Sequence, residues 1–226
     1  MMKRNNFPFS AVLGLNHAKT AILIVLVNPR ASGLLISGPR GIGKSTLMRS
    51  TQELIERPWR DIPVSVTEDR LFGTIDTEKA IYSGQKKLYP GIINEADQGV
   101  LYLDDANLLR EDLLDSILNI AEVGAYQLER DGLSLRCDTS FTVIAAINPE
   151  SGMLSGACLD QFGLFVNVDN IHDENTRVEI LKRTISFEKD CASFCNLWKL
   201  ENEKIKKAIH SAMSLLPKVV VSSAMI

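Results

Sequence analysis

Cysteine is scarce. The 226 residues hold four thiols, Cys137, Cys158, Cys191 and Cys195, and they are scattered. The opening, Met1-Met2-Lys3-Arg4-Asn5-Asn6-Phe7-Pro8, is basic with no apolar run behind it. A disulfide scaffold and a secretory segment are therefore not expected; free thiols in a reducing cytoplasm are. Cys191 and Cys195 are four apart and would share a helix face. His210 is the only nearby imidazole and there is no second pair, so their expected role is structural. Long apolar runs are missing too. The longest, 21–27, falls far short of the roughly 20 residues that cross a bilayer. Neither charge dominates: 25 Lys+Arg stand against 28 Asp+Glu, which disfavours nucleic acid as a partner. No internal repeat is visible. What remains is 45% apolar and 23% charged, which excludes a disordered chain and a collagen-like fibre. The length suits one domain and a fragment of a second.

The order of elements predicts an α/β fold. Residues 18–27 read as a buried helix closed by Asn28-Pro29. Residues 33–37 (GLLIS) form a short apolar strand, then a glycine-rich turn and a helix over 44–56 stopped by Pro58. A second strand is expected at 62–66, and short helices and loops over 67–99. Residues 99–105 (GVLYLDD) are a strand ending in two carboxylates. Leu113, Leu114, Ile117, Leu118 and Ala121 give 109–123 helical spacing. Asp131-Gly132 predicts a hairpin turn within 126–136. Further strands are expected at 141–147, before Asn148-Pro149, and at 164–168. Helices are expected at 173–189 and 201–215. Strand, turn and helix in this order require a parallel sheet.

The most specific motif is Gly38-Pro39-Arg40-Gly41-Ile42-Gly43-Lys44-Ser45-Thr46. It fits the phosphate-binding pattern at every fixed place. Glycines let backbone N–H groups curl around a β-phosphate with no side chain in the way. Lys44 can reach between the β- and γ-phosphates, and the Ser45 hydroxyl can ligate Mg²⁺. The helix that follows turns its N-terminal donors towards the anion. ATP and Mg²⁺ are the cofactors this predicts.

Mg²⁺ also needs carboxylate help from a neighbouring strand end. Asp104 fits that role, and Asp105 is placed to polarise the attacking water. Asn148 ends the next strand and could orient that water or sense the γ-phosphate. The competing role for Asn148 is to cap the turn before Pro149.

Together these residues resemble the AAA+ ATPases, and among them the magnesium chelatase ATPase subunit. The resemblance covers nearly the whole chain. Residues 9–15 (FSAVLGL) resemble the family's segment near the adenine. Residues 69–74 and 89–93 resemble its substrate-facing region. Residues 99–109 match the second nucleotide motif, 146–152 resemble the sensor segment, and 159–163 (LDQFG) resemble a Leu-Asp-Arg-Phe-Gly motif. The resemblance implies a three-layer αβα sandwich over 1–190 and the start of a helical lid over 191–226. That lid is expected to be incomplete. It also implies insertions at about 75–96 and 124–138, and a hexameric ring with ATP between neighbours. The implied partners are a protein with an integrin-like metal-binding domain and a porphyrin-binding catalytic subunit. A MoxR-type remodelling relative shares these motifs.

Two residues depart from the pattern. Asp105 stands where the family has Glu, one methylene shorter. Gln161 stands where the family's Arg reaches the neighbour's γ-phosphate; a neutral amide cannot supply that charge. An arginine in trans is worth about 10³–10⁵ in rate in other nucleotide hydrolases. Arg110, Arg130, Arg136 and Arg177 are candidates to replace it. Two functions follow: a motor subunit that hydrolyses ATP, or a regulatory subunit that binds ATP but turns it over weakly. A small-molecule kinase would need an acceptor site, and residues 141–152 and 159–163 argue against one.

Overall fold

The computed structural model describes residues 6–75, 88–130 and 133–220. The expected turn at Asp131-Gly132 lies outside the described residues, as does most of the first insertion.

The chain opens with a 3-10 turn at Phe9–Ala11 and helix α1 (Asn16–Val27), followed by β1 (Leu34–Ser37), α2 (Lys44–Thr51) and β2 (Trp59–Ile62). Next come α3 (Glu68–Phe72), β3 (Gly73–Ile75), β4 (Leu88–Pro90), α4 (Ile92–Glu95) and β5 (Val100–Leu103). Helix α5 (Glu111–Val123) leads to the hairpin β6 (Ala125–Arg130) and β7 (Leu133–Asp138), then to β8 (Thr142–Ile147). The chain continues through α6 (Gly156–Asp160), β9 (Leu164–Asn167), α7 (Glu174–Lys189) and α8 (Cys191–Leu215).

Five strands form one sheet in the order β2-β5-β8-β1-β9. All four pairings are parallel. Side chains alternate across the strands, so each strand feeds two cores. Leu101, Leu103, Val143 and Ala145 pack with α3, α4 and α5 residues such as Leu71, Ile93, Leu113 and Ile117. Val100, Tyr102, Ile144 and Ala146 face the other way, onto Ile22, Val25, Leu47 and Ile209 of α1, α2 and α8. The result is the three-layer sandwich expected of a parallel sheet covered on both faces.

Three boundaries differ from the sequence reading by more than two residues. The second strand is Trp59–Ile62, not 62–66. The Pro58 carbonyl accepts from Val100 N at 2.8 Å, which starts the ladder there. Pro63 then has no N–H to continue it. Helix α2 ends at Thr51 and tightens into a 3-10 turn over Gln52–Leu54. Ser50 and Thr51 both donate to the Leu47 carbonyl, at 2.6 and 2.9 Å, which loosens the helix there. The last helix begins ten residues early, at Cys191. The Asp190 carboxylate accepts from Ser193 N at 3.0 Å and caps it.

Residues 67–99 contain a short antiparallel pair, β3 with β4, besides their helices. The β6–β7 hairpin is tied to it. The Tyr126 hydroxyl lies 2.7 Å from both the Phe72 carbonyl and the Asn94 side-chain oxygen. Among the described residues no helix is long and apolar enough to cross a membrane.

Candidate nucleotide site

Parallel register brings three strand ends to one edge. Ser37 pairs with Ile147, and Leu103 with Ala145. The segments that follow β1, β5 and β8 therefore leave the sheet side by side. They carry Gly38–Thr46, Asp104 with Asp105, and Asn148.

The loop's shape requires its glycines. Gly43 has φ +92° and caps α2, a left-handed conformation that costs a side-chain-bearing residue. At Gly38 a Cβ would sit 2.4 Å from the Val168 carbonyl oxygen, so only glycine allows the approach to β9. Arg40 and Thr46 are exposed, Pro39 is half-buried, and Ile42 packs on the α1–α2 core. Lys44 is only 8% exposed. Its ammonium donates to the carbonyls of Gly38 and Pro39 at 2.6 and 2.8 Å. Burial pushes its pKa below the usual lysine value, while Asp105 and Asp104 act against that shift.

Ser45 Oγ donates to Asp104 Oδ1 at 3.1 Å, joining α2 to the end of β5. Asp105 takes a left-handed turn, φ 50°, which Asp tolerates better than most residues. Asn148 is 2% exposed and caps the next turn. Its Oδ1 accepts from Glu150 N at 3.2 Å and its Nδ2 donates to Ser151 Oγ at 3.3 Å. Asn107, which the sequence reading missed, clamps this turn to the acidic one. Its Nδ2 donates to the Asn148 and Gly152 carbonyls at 3.1 and 2.9 Å.

Beside the loop opens a cavity of about 780 Å³. Gly41, Gly43 and Thr46 form one wall, Val12 and Leu15 another, and Arg177 of α7 a third. Residues from α7 and α8 hold the Phe9–Ala11 turn in place. Arg183 donates to the Ala11 carbonyl and to Glu179, at 2.9 Å each, and stacks 4.6 Å over the Trp198 ring. Asn202 accepts from Ser10 N at 3.0 Å. Lys19 donates to the Val12 carbonyl. Burial, then the Arg183 charge, lowers its pKa.

Gln161 lies elsewhere. It lines a second cleft of about 600 Å³ at the opposite ends of the strands, together with Arg30, Arg57 and Asp160. Gly163 N donates to the Ser32 carbonyl at 3.0 Å, which straps this loop to the one that carries Arg30. Arg30 is exposed, and among the described residues its guanidinium has no partner. Of the arginines singled out from the sequence, Arg110 pairs with Glu68 and Asp112, and Arg136 pairs with Asp138. Arg177 borders the first cavity, and the Arg130 side chain lies outside the described residues. The four thiols are free. Cys158 donates to Asp115 at 2.9 Å. Burial, then its neighbour Cys191, pushes the Cys195 thiol up to about 12.

Residues 33–161 match the family described as AAA domain (dynein-related subfamily). The chain is 35% identical to the magnesium-chelatase 38 kDa subunit of Rhodobacter capsulatus, over 94% of this chain and 70% of that protein. It is 32% identical to a magnesium-chelatase subunit ChlI homolog of Methanocaldococcus jannaschii, over 98% and 71%. It is 31% identical to the magnesium-chelatase subunit ChlI of Synechocystis, over 97% and 72%. Among solved structures it resembles a chain of the complex between subunits BchI and BchD of magnesium chelatase, based on a cryo-EM reconstruction. The TM-score is 0.69 at 35% identity, over 95% of this chain and 77% of that one. With the AAA match spanning the phosphate loop and both acidic residues, and the likeness running nearly end to end, this chain belongs to the magnesium-chelatase ChlI/BchI family of AAA+ subunits.

Proposed function

We propose that the chain binds ATP with Mg²⁺ and acts as the AAA+ motor subunit of a magnesium-chelatase-like complex. One observation carries the reading: Ser45 Oγ and Asp104 Oδ1 lie 3.1 Å apart beside a loop whose lysine is already desolvated. Two hard oxygen donors next to a phosphate cradle are the donor chemistry Mg²⁺ takes. When bound, Mg²⁺ neutralises charge on the β- and γ-phosphates. Lys44 exchanges the Gly38 and Pro39 carbonyls for phosphate oxygens, and the N–H groups at the start of α2 hold the β-phosphate. Asp105 polarises a water, and Asn148 orients it from a turn clamped by Asn107. Residues 1–190 are assigned to the nucleotide domain and 191–226 to the first part of a lid.

Family membership supports the finer assignments. They are a ring of subunits, a partner with an integrin-like domain, and a porphyrin-binding catalytic subunit that receives the work. The relatives are named as magnesium-chelatase subunits, and one solved neighbour is a complex of two of them. A second reading, nucleotide binding with weak turnover, is favoured by Gln161, which leaves its cleft without the family's arginine, and by the short carboxylate of Asp105.

Turnover of the purified chain, alone and with its partner, tests both. A phosphate-release rate typical of active AAA+ rings supports the motor and removes the second reading. Tight ATP binding with negligible release supports the second reading. No binding of ATP or its analogues refutes both.

A further inference from the structure

Tyr102 lies on β5 and packs on the face that α2 covers, and Asp104, just past the strand's end, meets Ser45 of that same helix. The residue is 1% exposed, and its ring packs against Trp59 with centroids 5.9 Å apart. Its hydroxyl lies close enough to Asp104 and Ser45 to interact with both. Yet that hydroxyl, fully buried beside both, completes a well-formed hydrogen bond with neither. Buried polar groups are nearly always paired, and an orphan calls for an explanation. Packing alone would be met by phenylalanine, which fills the same space with no oxygen to desolvate.

The position of the orphan suggests what it serves. Mg²⁺ held by one or two protein oxygens and phosphates keeps several of its waters. Those waters need partners beyond the metal, and a phenol can both donate and accept. We propose that Tyr102 is a positioning residue for the metal: its hydroxyl is reserved for a water of the Mg²⁺ shell and, through that water, fixes the Asp104 carboxylate. The proposal rests on the nucleotide–Mg²⁺ reading above and adds a residue to it. Partners of this kind in other metal sites are worth roughly 10- to 100-fold in metal affinity.

The test uses the whole chain and Tyr102→Phe, with Asp104→Asn as a positive control. Two affinities are measured: that for ADP in EDTA, by calorimetry, and that for Mn²⁺ at saturating ADP, by electron paramagnetic resonance. The expected result is an unchanged ADP affinity in EDTA and a roughly 10-fold weaker Mn²⁺ affinity, in the same direction as Asp104→Asn. Thermal unfolding of Tyr102→Phe is expected at or above the wild-type temperature, because no protein hydrogen bond is lost. Mn²⁺ affinity within twofold of wild type overturns the proposal. So does an equal loss of metal-free ADP affinity, which would mark a packing role. A Tyr102→Phe chain that fails to fold also overturns it, since the hydroxyl would then support the protein. If the wild-type chain takes up no Mn²⁺ with ADP, the nucleotide reading itself fails. If it does and Tyr102→Phe matches it, only this proposal fails.

Discussion

Lys44→Ala separates a phosphate-binding lysine from one that merely braces its loop. The ammonium is buried and held by two carbonyls, at 2.6 and 2.8 Å. The residue is already buried, so most of its water is gone before any ligand arrives, and the same burial lowers its pKa. A phosphate can then replace the carbonyls without stripping a full hydration shell. A hydrogen bond to a charged group is worth about 1.5–3 kcal/mol. Its loss corresponds to a roughly 10- to 150-fold weaker affinity for a triphosphate. The fold should feel less, about 1 kcal/mol or under. Two carbonyls lose their donor, but the cost of a desolvated cation disappears with it. Calorimetric titration with a non-hydrolysable ATP analogue reads the first effect. Adenosine, which has no phosphates, is the control and should bind unchanged. Analogue affinity within twofold of wild type in a folded variant refutes the reasoning. An equal loss for adenosine would show that the lysine acts on the loop's shape instead.

Other perturbations test other parts of the fold. In Gly43→Ala a new Cβ meets only Leu15 Cδ1, at 3.9 Å, so the cost is the left-handed backbone alone. That is about 1–2 kcal/mol, read as a fall of roughly 2–8 °C in melting temperature; no change would mean the loop reshapes freely. Asp104→Asn should bring ADP affinity in Mg²⁺ down to its value in EDTA, and a retained Mg²⁺ effect would exclude Asp104 from the metal site. Asp173 and Asp190 cap α7 and α8, and hydrogen bonds from Thr176 and Ser193 hold both carboxyls below their usual pKa. Their stabilisation is complete above the unfolded carboxylate value, about 4, and is lost as pH falls through the lower folded values. Thermal melts of wild type and of an Asp173→Asn, Asp190→Asn double variant, which keeps the caps but loses their charge, should therefore converge as pH drops below that value, and a gap that persists in acid refutes the assignment. With its pKa raised to about 12, Cys195 should resist iodoacetamide at pH 8–9 and react faster only in stronger alkali, as peptide mass spectrometry would show. Rapid labelling at pH 8 would contradict the raised pKa of this half-buried thiol.

What could be read from the sequence was local. The phosphate loop, the acidic end of β5 and the β8 run each depend on a few consecutive residues, and each lies where its pattern puts it. The second strand is not legible locally, because Val64 and Val66 are more strand-like than Arg60 and Asp61 within Trp59–Ile62. The real register is set by Pro58 pairing with Val100, forty-two residues away. The early start of α8 was legible and overlooked: behind the Asp190 cap, Cys191, Phe194, Cys195 and Trp198 recur at helical spacing. Asn148 showed why one polar residue at a strand end is ambiguous. Its side chain caps Pro149–Ser151 with one donated and one accepted bond, and a second N–H and a second lone pair remain for a ligand at the site edge.

The half of the cavity away from the Gly38–Thr46 loop was out of reach of any local pattern. Its wall stands because Asn202 meets Ser10 across 192 positions and Arg183 meets Ala11 across 172. Neither residue belongs to a recognisable motif; each is an ordinary polar residue on a helix until the fold delivers its partner. The same contacts have a consequence for behaviour. The cavity takes one wall from the loop, one from the N-terminal segment and one from α7, and Arg183 and Asn202 tie that segment to α7 and α8. A ligand that fills the cavity touches all three walls, so it binds best when the helices sit as they do here. By linkage, occupancy stabilises that placement by as much as the placement improves binding.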